Sequence, residues 1–125
     1  MNDFMKPDRI ILGHESNTIK LLSEKIYRPI NWKSNRLKFY SIESSEMIKY
    51  SSNAFLATKI SFINEISRLC DLTGADISEI RKGMGADKRI GDSFLYAGLG
   101  YGGSCFPKDV SSFLYRFKDL GLEAS

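Results

Sequence analysis

Cys105 is the residue of this chain whose type and setting best suit covalent chemistry. It follows the glycine-rich segment Gly98–Ser104 and precedes Phe106-Pro-Lys-Asp109, where the proline suits the start of a helix. The unpaired amide groups at a helix N-terminus stabilise a thiolate, and Lys108 adds positive charge nearby. Such a cysteine is either an accessible nucleophile or a buried structural thiol, and these local features leave both interpretations open.

Three polar side chains are candidates to act with this thiol. Asp109 lies one helical turn after Cys105, so its carboxylate either faces the same site or complements the helix dipole. Lys49 and Asn53 lie at i and i+4 on a predicted long helix and therefore share one face. A cation and an amide donor on one face can stabilise a developing oxyanion, although a solvated helix surface has the same pattern.

The cysteine and histidine content argues against metal and disulfide chemistry. His14 is the only histidine, and with two separated cysteines it supplies too few ligands for a metal centre. We therefore predict no metal site. Cys70 follows Leu69 in the predicted long helix, a typical setting for a small hydrophobic core residue.

Glycine is concentrated in residues 83–103, which hold seven of the ten glycines. Such density indicates an unusual backbone path or a close approach to a ligand. The spacing of Gly98, Gly100 and Gly103 matches G-x-G-x-x-G, but that fingerprint also needs a following parallel strand, which we do not expect before Ser125. Arg89 suits a phosphate or hydroxyl groups as well as it suits solvent.

Composition and charge describe an ordinary globular domain. The chain has 125 residues, of which 42% are hydrophobic and 26% charged, enough for one domain with a modest core. The net charge of +3 forms no basic stripe, so no nucleic-acid partner is predicted. The sequence shows neither an apolar run of about 18 residues nor a signal peptide, and we expect no membrane partner. Cys70 and Cys105 lie in different contexts and form no disulfide framework, so we expect a reducing cytoplasm as the compartment.

The first part of the chain is predicted to form a strand, a helix and a second strand. The strands cover residues 8–13 and 37–42, and the helix between them is capped by Ser16 and ends near Pro29. A βαβ unit belongs in a larger parallel sheet. Residues 1–42 are therefore interpreted as the remnant of a Rossmann-type domain.

The second part, residues 43–125, is predicted to be helical. A long helix over residues 44–73 has apolar positions on more than one side, which favours burial within a core or a dimer. Glycine at position 74 ends it, and a short helix capped by Asp76 follows to about Lys82. The last helix begins at Pro107 and ends at Gly121. The predicted fold class is mainly α.

Five stretches resemble the UDP-glucose/GDP-mannose dehydrogenase family, in the family's order. They are Phe4–Gly13, Ser45–Lys59, Thr73–Asp76, Asp87–Gly91 and Gly100–Asp109, and the resemblance covers about residues 4–122. The serine before the cysteine and the Phe-Pro after it are most similar to the family's UDP-glucose members. The resemblance implies a central helical dimerisation domain, similar to the C-terminal domain of 6-phosphogluconate dehydrogenase, preceded by the end of an NAD-binding domain.

The resemblance also implies a reaction and catalytic residues. The C6 alcohol of UDP-glucose is oxidised to an aldehyde and then to an acid with two NAD⁺, the second stage through a thiohemiacetal and a thioester on Cys105. Lys49 and Asn53 match the family's oxyanion-stabilising pair. Asp109 matches its residue for water activation and proton transfer.

The implied binding residues lie mostly in the segment that folds over the sugar, which residues 94–103 match. Arg89 matches an arginine that reaches the substrate site of a neighbouring subunit, and Lys108 is assigned a contact to NAD. The implied partners are UDP-glucose and a second copy bound through the long helix. The predicted substrate-binding residues are Phe94, Leu95, Tyr96, Tyr101, Gly102 and Arg89.

Two alternatives remain beside this interpretation. One is a non-catalytic dimerisation module from a truncated gene, and the other is a fragment of a GDP-mannose 6-dehydrogenase. The family's N-terminal glycine motif, its upstream glutamate and its C-terminal domain are absent from the sequence. We therefore expect the isolated chain to have no dehydrogenase activity.

Overall fold

The computed structural model describes residues 7–31 and 36–123. The chain divides into two compact units, Met1–Lys49 and Tyr50–Ser125. The first unit contains a short parallel sheet and the second is helical. The prediction of a mainly helical fold with a short βαβ segment before it is confirmed.

The first unit is built on two parallel strands, β1 (Ile10–Gly13) and β2 (Leu37–Tyr40). Ile10 pairs with Leu37, which is one of the buried apolar residues. Parallel strands cannot be joined by a tight turn, so the chain crosses over through α1 (Asn17–Asn31). The predicted order of strand, helix and strand is therefore present.

Side chains at the two ends of α1 accept hydrogen bonds from backbone N–H groups. The Ser16 hydroxyl accepts the Ile19 N–H at 3.3 Å, as its predicted capping role requires. Asn31 Oδ1 accepts the N–H groups of Arg36 and Leu37 at 2.8 and 3.2 Å. The predicted helix, which ended near Pro29, was too short, since α1 continues to Asn31. A proline in the last turn removes only one helical hydrogen bond, so it does not have to end the helix.

The second predicted strand was too long by two residues. It ends at Tyr40, and Ile42 begins the long helix α2 (Ile42–Thr73). The Ser41 hydroxyl accepts the Ser44 N–H at 3.1 Å and caps the helix. A local cap therefore overrides the strand propensity of isoleucine at position 42.

The helix α2 is uninterrupted for 32 residues and ends at Thr73, directly before Gly74. Gly74 has φ 76°, a left-handed conformation, and its N–H donates to the Cys70 carbonyl at 2.8 Å. Ala57, Ile63 and Cys70 are the buried residues of α2. Cys70 is thus the buried thiol that its position beside Leu69 predicted.

Two shorter helices complete the second unit. Asp76 caps α3 (Ile77–Gly85) by accepting the Ser78 N–H at 2.6 Å, and the helix extends three residues beyond the predicted end at Lys82. After a long loop, α4 (Phe106–Asp119) is the last helix of the described chain. Among the described residues, no helix has both the length and the apolar character needed to cross a membrane.

Candidate functional site

Cys105 occupies the N-cap of α4, directly before the first helical residue. Its thiol is exposed and forms no disulfide bond, and its side chain makes no capping hydrogen bond. The backbone carbonyl of Cys105 accepts the Asp109 N–H at 2.9 Å, which closes the first turn of the helix. Because Pro107 is the second helical residue, the helix starts one position earlier than predicted. The sulphur is therefore accessible at a helix N-terminus, where backbone N–H groups favour an anion.

Asp109, one turn into α4, is a fully buried carboxylate that accepts hydrogen bonds from side chains of α2 and α4. Asn53 of α2 donates its Nδ2 to Asp109 Oδ2 at 2.7 Å, across 56 residues of sequence. Lys108 Nζ donates to Asp109 Oδ1 at 2.5 Å. A buried carboxylate is stable only when its oxygens are hydrogen-bonded, so this arrangement holds α4 against α2 beside the cysteine.

The charge on Lys108 is coupled to that of Asp109. The hydrogen bond to Asp109, and then its negative charge, raise the pKa of Lys108 above its ordinary value of 10.5, and Cys105 contributes in the same direction. A raised lysine pKa adds stability that is present below pH 10.5 and lost as the pH rises through the higher folded value. At neutral pH the amine is therefore protonated and paired with Asp109.

Lys49 lies on α2 and is the last residue of the first unit, four positions before Asn53. Its side chain is exposed. Its action on the same reacting group as Asn53 stays a prediction.

The loop between α3 and α4 holds Phe94 in a strained backbone conformation. Phe94 has φ 63°, and a non-glycine residue in this region costs of order 1–3 kcal/mol. The next residue, Leu95, is only 1% exposed and belongs to the core of the second unit. The burial of Leu95 and the aromatic contacts of Phe94 offset the strain and fix this stretch of the loop.

Phe106, the first helical residue after the cysteine, contacts two aromatic side chains of the loop. The ring centroids of Phe94 and Tyr101 lie 6.0 and 6.1 Å from that of Phe106, both nearly edge-to-face. Two of the predicted substrate-binding residues are thus placed beside the residue that follows Cys105. Gly102, which lies next to Tyr101, is exposed.

Tyr96 and Arg89, also predicted to bind substrate, have partners of their own. The Arg81 guanidinium of α3 lies 4.5 Å from the centroid of the Tyr96 ring. Arg89 is highly exposed and donates to both carboxylate oxygens of Asp87, with a shortest distance of 2.6 Å. These hydrogen bonds from Arg89 lower the pKa of Asp87 below its ordinary value of 3.8, so the pair persists to acidic pH. Among the described residues, the hydrogen bonds and the ion pair of Arg89 go to Asp87 and not to Cys105.

Three residues that fix the loop were not predicted from the sequence. Lys59 Nζ donates to the Ile90 carbonyl at 3.0 Å, and Asn64 Oδ1 accepts the Gly98 N–H at 2.8 Å. Arg81 is the third, through Tyr96. One signal was available for Asn64, because it follows Asn53 by 11 residues, which is close to three helical turns. Both amides therefore lie on one face of α2.

An open cavity of about 500 Å³ lies along the fixed stretch of the loop. A volume of this order accommodates a small organic ligand. The walls combine an aliphatic side chain, two aromatic rings, a carboxylate and a hydroxyl. The lining residues are Ile60, Asp92, Ser93, Phe94, Tyr96 and Gly100.

The family of the chain follows from a sequence comparison. The sequence model of the central domain of the UDP-glucose/GDP-mannose dehydrogenase family matches residues 43–125. The chain belongs to this family. The matched range includes Asn53, Cys105 and Asp109, the residues that the structure and sequence place at the candidate site.

Curated relatives within the UDP-glucose/GDP-mannose dehydrogenase family support this assignment. The UDP-glucose 6-dehydrogenase of Pseudomonas aeruginosa is 46% identical over 99% of this chain and 27% of its own length. A UDP-glucose 6-dehydrogenase of Bacillus subtilis is 53% identical over 88% of this chain and 24% of its own. The chain therefore spans about a quarter of the length of these relatives.

Solved structures in the same family share the fold. A UDP-glucose dehydrogenase from the archaeon Pyrobaculum islandicum superposes with a TM-score of 0.92 at 40% identity, over 98% of this chain and 28% of that one. A ternary complex of GDP-mannose dehydrogenase from Pseudomonas aeruginosa gives a TM-score of 0.63 at 30% identity, over the same shares. The predicted resemblance to this family is confirmed.

The described residues do not form the dinucleotide site that the dehydrogenase family implies. Gly98, Gly100 and Gly103 lie in the loop between α3 and α4, with no strand directly before them within the part of the chain that the structure describes. The turn from β1 to α1 contains His14-Glu-Ser16 in place of a glycine-rich loop. Since the pyrophosphate of NAD needs such a turn, residues 7–31 and 36–123 do not fit this cofactor.

The side chains that could ligate a metal ion do not cluster in the described part of the chain. Residues 7–31 and 36–123 contain no group of three His, Cys, Asp or Glu side chains placed to hold an ion. The ring of His14 packs edge-to-face against Phe39 within the first unit, at a centroid distance of 5.4 Å.

Proposed function

We propose that this chain is the cysteine-bearing central part of a nucleotide-sugar 6-dehydrogenase that oxidises UDP-glucose to UDP-glucuronate. The observation that carries the proposal is the accessible Cys105 thiol at the N-cap of α4, one turn before the buried Asp109 carboxylate. An exposed nucleophile beside a fixed carboxylate suits acyl transfer to water. Relatives named UDP-glucose 6-dehydrogenase, 45–53% identical to the chain, support this choice of reaction.

Cys105 acts in the second oxidation. Its thiolate sulphur adds to the carbonyl carbon of the C6 aldehyde, and the carbonyl oxygen becomes the oxyanion of a thiohemiacetal. Loss of a hydride from that carbon leaves a thioester. Attack by water on the thioester then releases the acid and returns the thiolate. NAD⁺ is the hydride acceptor of the proposed whole enzyme, and the described residues are assigned no contact with it.

Asn53 and Asp109 act as a pair in this scheme. The amide of Asn53 has two N–H donors, and the bond to Asp109 Oδ2 uses one of them. The second donor suits the oxyanion, together with the ammonium of Lys49. Asp109 accepts a proton from the water that attacks the thioester. Lys108 is assigned to hold the Asp109 carboxylate, in place of the NAD contact predicted for it from the sequence.

Two alternative functions have less support than the proposed one, each because of a specific observation. A GDP-mannose 6-dehydrogenase would share the cysteine chemistry, but the solved GDP-mannose dehydrogenase is 30% identical with a TM-score of 0.63, against 40% and 0.92 for the solved UDP-glucose dehydrogenase. A non-catalytic module would not need an exposed cysteine beside a buried carboxylate. We also place the protein in the cytoplasm, where reducing conditions keep the Cys105 thiol available.

We further propose that two copies associate through α2. Phe55, Phe62 and Leu69 recur every seven residues and are 66%, 49% and 55% exposed. Together they form an exposed apolar seam along α2, at the heptad spacing found in coiled coils.

Phe62→Glu should weaken self-association about tenfold or more, because it buries a charge in the seam. Sedimentation equilibrium of the chain measures this. Tyr115→Glu, on the exposed surface of α4, is the matched control and should leave association unchanged. A native chain that stays monomeric at high concentration would contradict the proposal.

The catalytic proposal is tested in a hybrid enzyme, in which this chain replaces the matching segment of the P. aeruginosa UDP-glucose 6-dehydrogenase. We expect the hybrid enzyme to form two NADH per UDP-glucuronate, because the chain contributes Cys105, Asn53 and Asp109 and the rest of the relative is retained. NADH absorbance and product chromatography measure the two quantities, with the isolated chain as the control that should form no NADH. A folded hybrid enzyme without activity toward UDP-glucose, or with a preference for GDP-mannose, would refute the proposal.

A further inference from the structure

Asn64 joins the long helix to the loop that leads to the cysteine. Its Oδ1 accepts the backbone N–H of Gly98 at 2.8 Å, although the two residues are 34 positions apart. Asparagine is not favoured inside a helix, because its amide competes for backbone hydrogen bonds. Here the Asn64 amide reaches outward to another segment, so its place in α2 is explained by the loop.

Gly98 marks a boundary within this loop. The stretch before it is held at Ile90 by Lys59, at Tyr96 by Arg81 and in the core by Leu95. After Gly98, the backbone passes through positive φ angles of 111° at Gly100 and 83° at Gly103. Glycine at such positions permits many conformations. The Asn64 bond thus ties the loop to α2 at the start of the permissive segment that ends at Cys105.

We infer that Asn64 is a positioning residue that orders the glycine-rich loop for the sugar before the sugar binds. The inference rests on the proposed function and on the prediction that residues 94–103 fold over the sugar. A loop that is already ordered loses less conformational entropy on binding, so the bond strengthens substrate affinity. Because Asn64 is assigned no contact with the reacting atoms, the chemical step should not depend on it.

The first experiment measures the bond itself, by hydrogen exchange of the Gly98 amide in the chain. Asn64→Leu keeps the branched shape of the side chain and removes the acceptor, whereas Asn64→Asp keeps an acceptor oxygen. Exchange at Gly98 should become roughly fivefold to tenfold faster in the leucine variant and stay near the native rate in the aspartate variant. Thr58→Val is the matched control, since Thr58 donates only within α2, to the Ala54 carbonyl at 2.9 Å.

The second experiment measures the consequence for the substrate, in the hybrid enzyme. Asn64→Leu should raise the KM for UDP-glucose roughly tenfold and change kcat less than about twofold, and Asn64→Asp should restore the native KM. An unchanged KM, an unchanged Gly98 exchange rate, or equal losses in the leucine and aspartate variants would overturn the inference. Dependence of the same hybrid enzyme on Cys105 tests the proposed function separately, so the two failures are distinguishable.

Discussion

Cys105→Ala in the hybrid enzyme should stop the reaction at the aldehyde. Without the thiol no thioester forms, and removal of a catalytic nucleophile slows covalent enzymes by roughly 10⁴- to 10⁶-fold. The first oxidation does not use the sulphur, so the variant should release one NADH per sugar instead of two. Stopped-flow NADH absorbance gives the rates, and trapping with an aminooxy reagent detects the aldehyde.

Cys70→Ala is the matched control for this experiment. Cys70 is the other cysteine of the chain and is buried in α2, with its surface 5% exposed. Its replacement removes a small core group and should lower stability without changing the ratio of two NADH per product. A Cys105→Ala variant that still forms two NADH per UDP-glucuronate would remove the thiol from the mechanism.

The parts of this fold that were predictable depend on residues near each other in sequence. The end of α2 at Gly74 requires a left-handed residue, and the start of α3 at Asp76 requires a short polar acceptor. Both are local preferences with a fixed geometry. The error at Ile42 arose in the same way, because the Ser41 cap and the strand propensity of isoleucine compete and the cap prevails.

The candidate site also combines features that local sequence determines with features that depend on helix packing. The exposure of Cys105 follows from a glycine-rich loop and a helix start, which are local features. The bond from Asn53 to Asp109 spans 56 residues and depends on how α2 and α4 pack. Sequence spacing places each residue on its own helix face, but it does not give the rotation of one helix against another. The same holds for Asn64 and Gly98.

The bond between Asn53 and Asp109 is expected to be a main contribution to the stability of the second unit. A hydrogen bond to a charged group contributes about 1.5–3 kcal/mol, and a buried carboxylate that loses a donor is left with an unsatisfied oxygen. Asn53→Ala and Asp109→Ala should each lower the free energy of unfolding. Because each removes the same bond, the double variant should cost less than the sum, with a coupling energy of about 1.5–3 kcal/mol.

Urea unfolding of the chain, followed by helical circular dichroism, measures all four members of this cycle. Lys108→Ala is the comparison variant, because Lys108 bonds the same carboxylate from a side chain that is 60% exposed. Solvent can replace much of its contribution, so its effect should be smaller than that of Asn53→Ala. Additive single effects would show that α2 and α4 are held together by apolar packing rather than by the bond from Asn53 to Asp109, and a larger loss from Lys108→Ala would show that Lys108 is the main partner of the carboxylate. In either case Asn53 would not hold Asp109 in place, and the shared role of the pair in the thioester step would fail with it.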